Sequence, residues 1–416
     1  LENKVEAAQT KEFSIPVKRN MSLLVSTVSL EAIADAIFTL CLAWFVLERT
    51  GSALVTSTIT AIRYIVNIFA GPLIGVFVDR TQPKKAMVRS YIVLALIGMI
   101  LIFFYIFLED WIVFAIMAMV ILNDVAQTFI RPSQRRTLPD LVGEERIVII
   151  NGYMNSAAQG GALLGRAVGG ILLSLIGLVG VMLTHSFIFL LAALFASWLV
   201  LPKQESSVAG MNGKAKGRFW DEFKDGAKLL VKHRALFHLT LINLGINFVT
   251  VGHLYMVLLK RQYGANAAQF GLLEATGMAT AIVGGLVVGR LVKKMKPIYS
   301  LSIGLLVGGV SLALFGVFDQ LIYAFILQIV DTFASLFYIV TFHTLLITLV
   351  KPEFRARIDT LVVSISSFAM PLSIFITGFL ADIIAVRYLF YFTGLWGILM
   401  WFILILNKEV RKLEKV

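Results

Sequence analysis

Long apolar runs separated by short polar stretches recur from one end of the chain to the other. Each is long enough to cross a hydrocarbon layer about 30 Å thick. They lie near residues 20–47, 53–79, 86–108, 111–131, 147–176, 180–202, 234–260, 267–292, 297–318, 320–347, 356–384 and 387–407. In lipid, a spanning segment of this length satisfies its backbone only as a helix. The pattern therefore predicts an all-α membrane protein with twelve transmembrane helices. It divides into a tail over 1–19, a bundle over 20–202, a linker over 203–233, a second bundle over 234–407 and a tail over 408–416.

Composition agrees. Of the 416 residues, 58% are hydrophobic and 15% charged, against roughly 25% charged in a soluble domain. The first residues are polar and the first apolar run is too long for a signal peptide, so no cleaved leader is expected. One cysteine, Cys41, excludes an intrachain disulfide. The formal charge of +12 raises the question of nucleic acid, but its distribution points elsewhere. Of the 37 Lys and Arg, 31 fall in segments on one side of the predicted spans and only Arg49, Lys260, Arg261 and Arg387 on the other. Positive residues stay in the cytoplasm, so both termini and the linker are expected there, in an inner or plasma membrane, with no nucleic-acid partner.

The chain also repeats itself. Gly75-Val-Phe-Val-Asp79-Arg80, followed by Lys84 and Lys85, recurs as Gly285-Leu-Val-Val-Gly289-Arg290, followed by Lys293 and Lys294. Leu141-Val-Gly-Glu-Glu-Arg146 recurs in weaker form as Leu349-Val-Lys-Pro-Glu-Phe-Arg355. Both matches have an offset near 210 and keep their place in the span order, which indicates a duplicated six-helix unit. Between the repeats, Gly210, Gly213 and Gly217 mark a flexible linker, and Phe219 to Leu236 reads as an amphipathic surface helix.

Polar residues inside lipid are costly and mark function. The first span carries Thr27, Glu31, Asp35 and Thr39 on one face, and the fourth carries Asn123, Asp124, Gln127 and Arg131. The seventh carries Asn243, Asn247 and Thr250, and the tenth Gln328, Asp331 and Ser335. These equivalent spans are expected to line a shared cavity, with the charge-poor third, sixth, ninth and twelfth facing lipid. Arg63, Arg166 and Glu274 add buried charge. Two acids one turn apart repel each other, and burial disfavours charge further, which suits a carboxylate to carrying a proton. Asp35, Glu31, Asp331 and Asp124 are the proton-coupling candidates. Arg63, Arg166, Asn243, Asn247, Gln328 and Glu274 are the substrate-binding candidates. The two arginines favour a substrate with carboxylate-like acceptors, although Glu274 could instead pair with Arg166. His185, His253 and His343 follow no metal-ligand spacing and are expected to hydrogen-bond in the interior, with no metal.

The repeat, the loop Gly75 to Lys85 and the segment Gly161-Ala-Leu-Leu-Gly165-Arg166-Ala-Val-Gly169-Gly170 resemble the major facilitator superfamily. Ala34-Asp35, Ile62-Arg63, Phe129 to Val142, Asn151-Gly152 and Arg355-Ala-Arg357 are similar to its branch of macrolide-efflux proteins and enterobactin exporters. The resemblance implies two six-helix bundles working by alternating access. It also implies gating contacts from Asp79, Arg80, Lys84 and Lys85, and close helix packing at the glycines of the fifth span. Arg166 stands where the antiporter motif has proline, and Pro83 where the signature loop has a basic residue.

The expected function is proton-coupled export of a small amphiphilic molecule, a siderophore or a macrolide-like drug, by a monomer without cofactor. The same residues would serve a proton-coupled importer. No HExxH, GxSxG or GxxxxGK[ST] occurs, which argues against an enzyme or a nucleotide-driven pump. A receptor without transport would need no stripe of buried acids.

Overall fold

A computed structural model describes residues 16–78, 81–142, 146–200, 230–350 and 354–413. The described residues form helices and connecting turns, with no strand among them. The helices are α1 (Val17–Thr50), α2 (Ala53–Val78), α3 (Pro83–Phe107), α4 (Ile112–Val142), α5 (Ile147–Ser197), α6 (Arg234–Phe248) and α7 (Tyr255–Arg261). Then come α8 (Ala267–Val292), α9 (Pro297–Phe315), α10 (Leu321–Leu349), α11 (Arg355–Ser367), α12 (Met370–Ile383), α13 (Val386–Leu406) and α14 (Lys408–Arg411). Among the described residues, ten stretches are long and apolar enough to cross a membrane, and Ala53–Phe69 is a shorter apolar helix. One of the ten, within α5, holds two spans. Gly177 turns the backbone there with φ 63° and ψ −172°, a conformation open to glycine because it lacks Cβ. The count thus reaches the twelve spans expected.

Two expected spans are not single helices. The seventh is interrupted between α6 and α7, where Val249 is extended. Val249-Thr250-Val251-Gly252 joins three β-branched residues to a glycine, all weak helix formers. The eleventh breaks between α11 and α12, and Pro371 follows in the first turn of α12, where its missing N–H costs nothing. The linker to Leu229, with the start of the expected surface helix, and the Asp79–Arg80 pair lie outside the described residues.

Packing divides the described chain into two units that do not follow chain order. One takes the chain up to Phe38, Val66–Gly165 and Val179–Gly210. Its interior stacks Phe38 on His185, with ring centroids 4.7 Å apart, and Tyr91 on Phe189. The glycines of α5 serve close approach here. A Cβ at Gly161 would lie 2.6 Å from the Ser29 carbonyl, and one at Gly165 2.6 Å from that of Ile33. On α3, Tyr91 and Leu94 are buried while Leu96, Phe103 and Phe107 face outward, the apolar outer face expected of this span.

The other unit takes Thr39–Ile65, Arg166–Leu178 and Met211–Val416. Its core draws on α6, α9, α10, α11 and α13 through Leu239, Leu301, Phe342, Val362 and Leu404. On α13, Phe392, Leu395 and Leu399 face outward. His185, expected to hydrogen-bond, is instead packed as a ring. It is fully buried, and neither nitrogen has a hydrogen-bond partner among the described residues. His253 does place Nε2 3.3 Å from the Thr377 hydroxyl.

Candidate functional site

In the first unit, Glu31 of the α1 stripe meets neutral donors. Glu31 is buried, and its Oε2 accepts from the Tyr91 hydroxyl at 3.0 Å and from Gln134 Nε2 at 3.2 Å. Gln134 also donates to the Tyr91 oxygen at 3.2 Å, closing a triangle. One turn along, Asp35 Oδ1 accepts from Gln127 Nε2 at 2.7 Å. Gln127 and Gln134 are seven residues apart, two turns of α4, so one face of α4 serves both acids. Asn123 and Asp124 are buried further along the same helix. The sequence pointed to Gln127 but not to Gln134 or Tyr91. The helical period of the α4 stripe extends to Gln134. Tyr91 sits on a span whose polar content is too low to single it out.

Lys84 does not stand free at its helix start. Its Nζ donates to the Leu199 carbonyl at 2.7 Å, where Asn20 and Val200 also exchange hydrogen bonds. Lys85 is exposed.

In the second unit, Arg63 donates to the Thr39 hydroxyl, joining α2 to α1. Arg166 is ion-paired with Glu274 of α8. Of the two answers the sequence left open for this arginine, the structure shows the protein's own carboxylate. The backbones are tightly apposed here, since a Cβ on Gly271 would lie 2.6 Å from the Arg166 carbonyl. Reversing one charge, as in Arg166→Glu, should lower the melting temperature in detergent. Exchanging both, Arg166→Glu with Glu274→Arg, should recover most of the loss. A double variant no better than the singles would show that the site needs these side chains for more than charge.

The interrupted spans come together. Asn247 Nδ2 donates to the Ser366 carbonyl at 3.0 Å. The Thr250 amide donates to Ser373 Oγ at 2.9 Å, and the Thr250 carbonyl accepts from Thr377 Oγ1 at 3.2 Å. Side chains of α12 thus satisfy the backbone that the break in the seventh span exposes, as a membrane interior requires. Beside the two breaks lies a cavity of about 480 Å³. Asn243, Asn247, Asp331 and Ser335 line it, as the stripes on the seventh and tenth spans predicted, and so do Thr250, Tyr255, Tyr338, His343, Asp359 and Trp396. Gln328, grouped with them by sequence, does not line it and packs against Gly277 of α8.

A further polar cluster escaped the sequence. Asp382, at the end of α12, accepts from the Ser52 hydroxyl and from the amides of Ala53 at 2.7 Å and Leu54 at 3.0 Å. It thereby caps α2 from another helix. Arg261 Nη2 lies 2.8 Å from the same carboxylate and also donates to the Gly51 carbonyl at 2.6 Å. No local pattern announces a cap supplied from some 330 residues away.

The model of the Major Facilitator Superfamily matches residues 24–358 and 236–416. The chain belongs to this superfamily. It is 26% identical over 389 residues to Macrolide efflux protein A of Streptococcus pyogenes, covering 92% of this chain and 94% of that protein. Macrolide efflux protein A of Enterococcus faecalis is 26% identical over 331 residues, covering 78% of this chain and all of that protein. Among solved structures, the nucleoside transporter NupG superposes with a TM-score of 0.74 at 13% identity, covering 95% of this chain and 100% of that one. The protein is thus a multi-pass membrane transporter of the superfamily and not an enzyme.

Proposed function

We propose that this facilitator exports amphiphilic organic drugs of the macrolide class in exchange for protons, working as a monomer by alternating access. The observation that carries the coupling is the setting of Glu31. Both of its hydrogen-bond donors, Tyr91 and Gln134, are uncharged. A buried carboxylate tied by an arginine would be fixed as an anion. One held only by neutral donors is free to bind and release a proton. Asp35 one turn away shares the task, with Asp124 on the facing stripe. The similarity to macrolide efflux proteins over nearly the whole chain supports the substrate class. The siderophore reading loses ground because Arg166, one of its two cationic anchors, is neutralised by Glu274. The lysine and arginine asymmetry supports a cytoplasmic location for both termini. Asp79 and Arg80 keep the gating role that the superfamily's loop implies.

The test uses cells lacking their own macrolide pumps. Expression of this chain should lower erythromycin accumulation several-fold, and a protonophore should remove the difference. Equal accumulation with and without the chain would overturn the reading.

A further inference from the structure

Helix α5 has two exposed faces, and only one of them suits lipid. It runs from Ile147 to the turn at Gly177, about 45 Å at roughly 1.5 Å per residue, so its middle lies near Ala162. Asn151, Asn155 and Gln159 stand four residues apart and form one stripe along it. All three are exposed, and none has a hydrogen-bond partner among the described residues. Tyr153, Leu164 and Val168 are exposed as well. Leu164 follows Asn155 by about two and a half turns, so it lies on the opposite side of the helix, as do Tyr153 and Val168. Between the two faces, Gly161 and Gly165 lie against α1.

Depth decides what each face meets. Gln159 lies within about 5 Å of the helix middle and Asn155 within about 10 Å, both inside a hydrocarbon layer about 30 Å thick. Asn151 lies at the edge of that layer. Polar side chains at such depth turn to water or to the protein interior, because lipid offers them no hydrogen bond. Leu164 and Val168 therefore meet lipid, and the amide stripe meets an aqueous path. Its chemistry is narrow. Each carboxamide offers two donors and an acceptor, and neighbours one turn apart are separated by about 6 Å. No charge stands among them. Arg166, further along the same face, is ion-paired with Glu274. Such a row gives an ion no counter-charge, and an apolar molecule lying on it would leave the amides unpaired. It matches an uncharged edge that carries hydroxyl and carbonyl oxygens at intervals.

We infer that Asn151, Asn155 and Gln159 form a substrate-binding strip that holds the uncharged, oxygen-bearing edge of the exported molecule through its hydroxyl and carbonyl groups. The inference rests on the drug-export reading and deepens it by naming the surface that holds the drug and the part of the drug that is held. The strip selects polyoxygenated molecules over apolar ones of the same size, since only the former pair with the amides.

Equilibrium binding of labelled erythromycin to the purified full-length protein in detergent tests this. Asn155→Leu and Gln159→Leu should each weaken binding about fivefold, and the two together about twentyfold, as expected for the loss of one and then two hydrogen bonds. Neither should lower the melting temperature, because no hydrogen bond within the protein is lost. Thiol labelling supplies a second readout. A water-soluble maleimide should modify Gln159→Cys and spare Leu164→Cys, and saturating erythromycin should slow the reaction at Gln159→Cys. Cys41 is buried, and the wild type serves as the unreactive blank. Unchanged affinity in the double leucine variant, equal labelling of the two cysteines, or labelling that erythromycin does not slow would each overturn the inference. The stripe would then be a hydrated wall only, and drug export would stand. Absence of erythromycin binding in the wild type would overturn both.

Discussion

Asp382→Ala should remove about 3 kcal/mol of stability, the largest loss expected from one polar substitution in this chain. Four donors converge on this carboxylate: the Ser52 hydroxyl, the amides of Ala53 and Leu54, and the Arg261 guanidinium. The cap on α2 alone is worth about 1 kcal/mol. Removing the acid also leaves Arg261 without its carboxylate. The side chains of the pair are 37% and 26% exposed, so solvent screens part of that penalty, and the full cost of a stranded buried charge, about 3–5 kcal/mol, does not apply. Asp382→Asn keeps one acceptor oxygen and should lose roughly half as much. Arg261→Ala and Asp382→Ala should not add when combined, because they break one network. Thermal unfolding in detergent measures all four variants. An unchanged melting temperature in Asp382→Ala would show that the cluster does not hold the fold.

Glu31→Gln should reduce proton-driven transport by at least about a hundredfold while the protein still folds. Glutamine has the shape of glutamate and its carbonyl still accepts from Tyr91, so the buried triangle keeps most of its hydrogen bonds. It cannot exchange a proton near neutral pH. Exchange of labelled drug for unlabelled drug without a gradient does not need that proton and should survive. Asp35→Asn should likewise abolish coupling, with Gln127 able to hold the amide in place. Undiminished gradient-driven uptake in Glu31→Gln would transfer the coupling role to Asp35 or Asp124. Tyr91→Phe provides the control. It removes a donor to the carboxylate without removing the acid, so it should slow transport rather than uncouple it.

The spans were legible because lipid imposes one rule on every residue that crosses it: an apolar side chain and a helical backbone. The breaks in the seventh and eleventh spans were not. An apolar run shows the same composition whether its helix is continuous or interrupted, and hydrogen bonds from Ser373 and Thr377 on another helix are what permit the interruption. The stripes on α1, α4, α6 and α10 located Glu31, Asp35, Gln127, Asn243, Asn247 and Asp331 correctly as inward polar positions, because helical spacing alone puts them on one face. Their partners followed no such period. Tyr91 is one aromatic among many, and Arg261 looked like an ordinary loop cation. Arg166 shows the opposite difficulty. Its cost in the membrane was plain, but only the fold could show that Glu274, 108 residues away, is the group that answers it.

Transport by the purified protein in liposomes tests the central claim most directly. With the interior acidified and the exterior neutral, labelled erythromycin should accumulate inside vesicles that hold the protein in inverted orientation. The interior should become less acidic as the drug enters, and Glu31→Gln vesicles should show neither change. Accumulation that proceeds equally without a pH gradient, or that moves no protons, would contradict proton-coupled drug export.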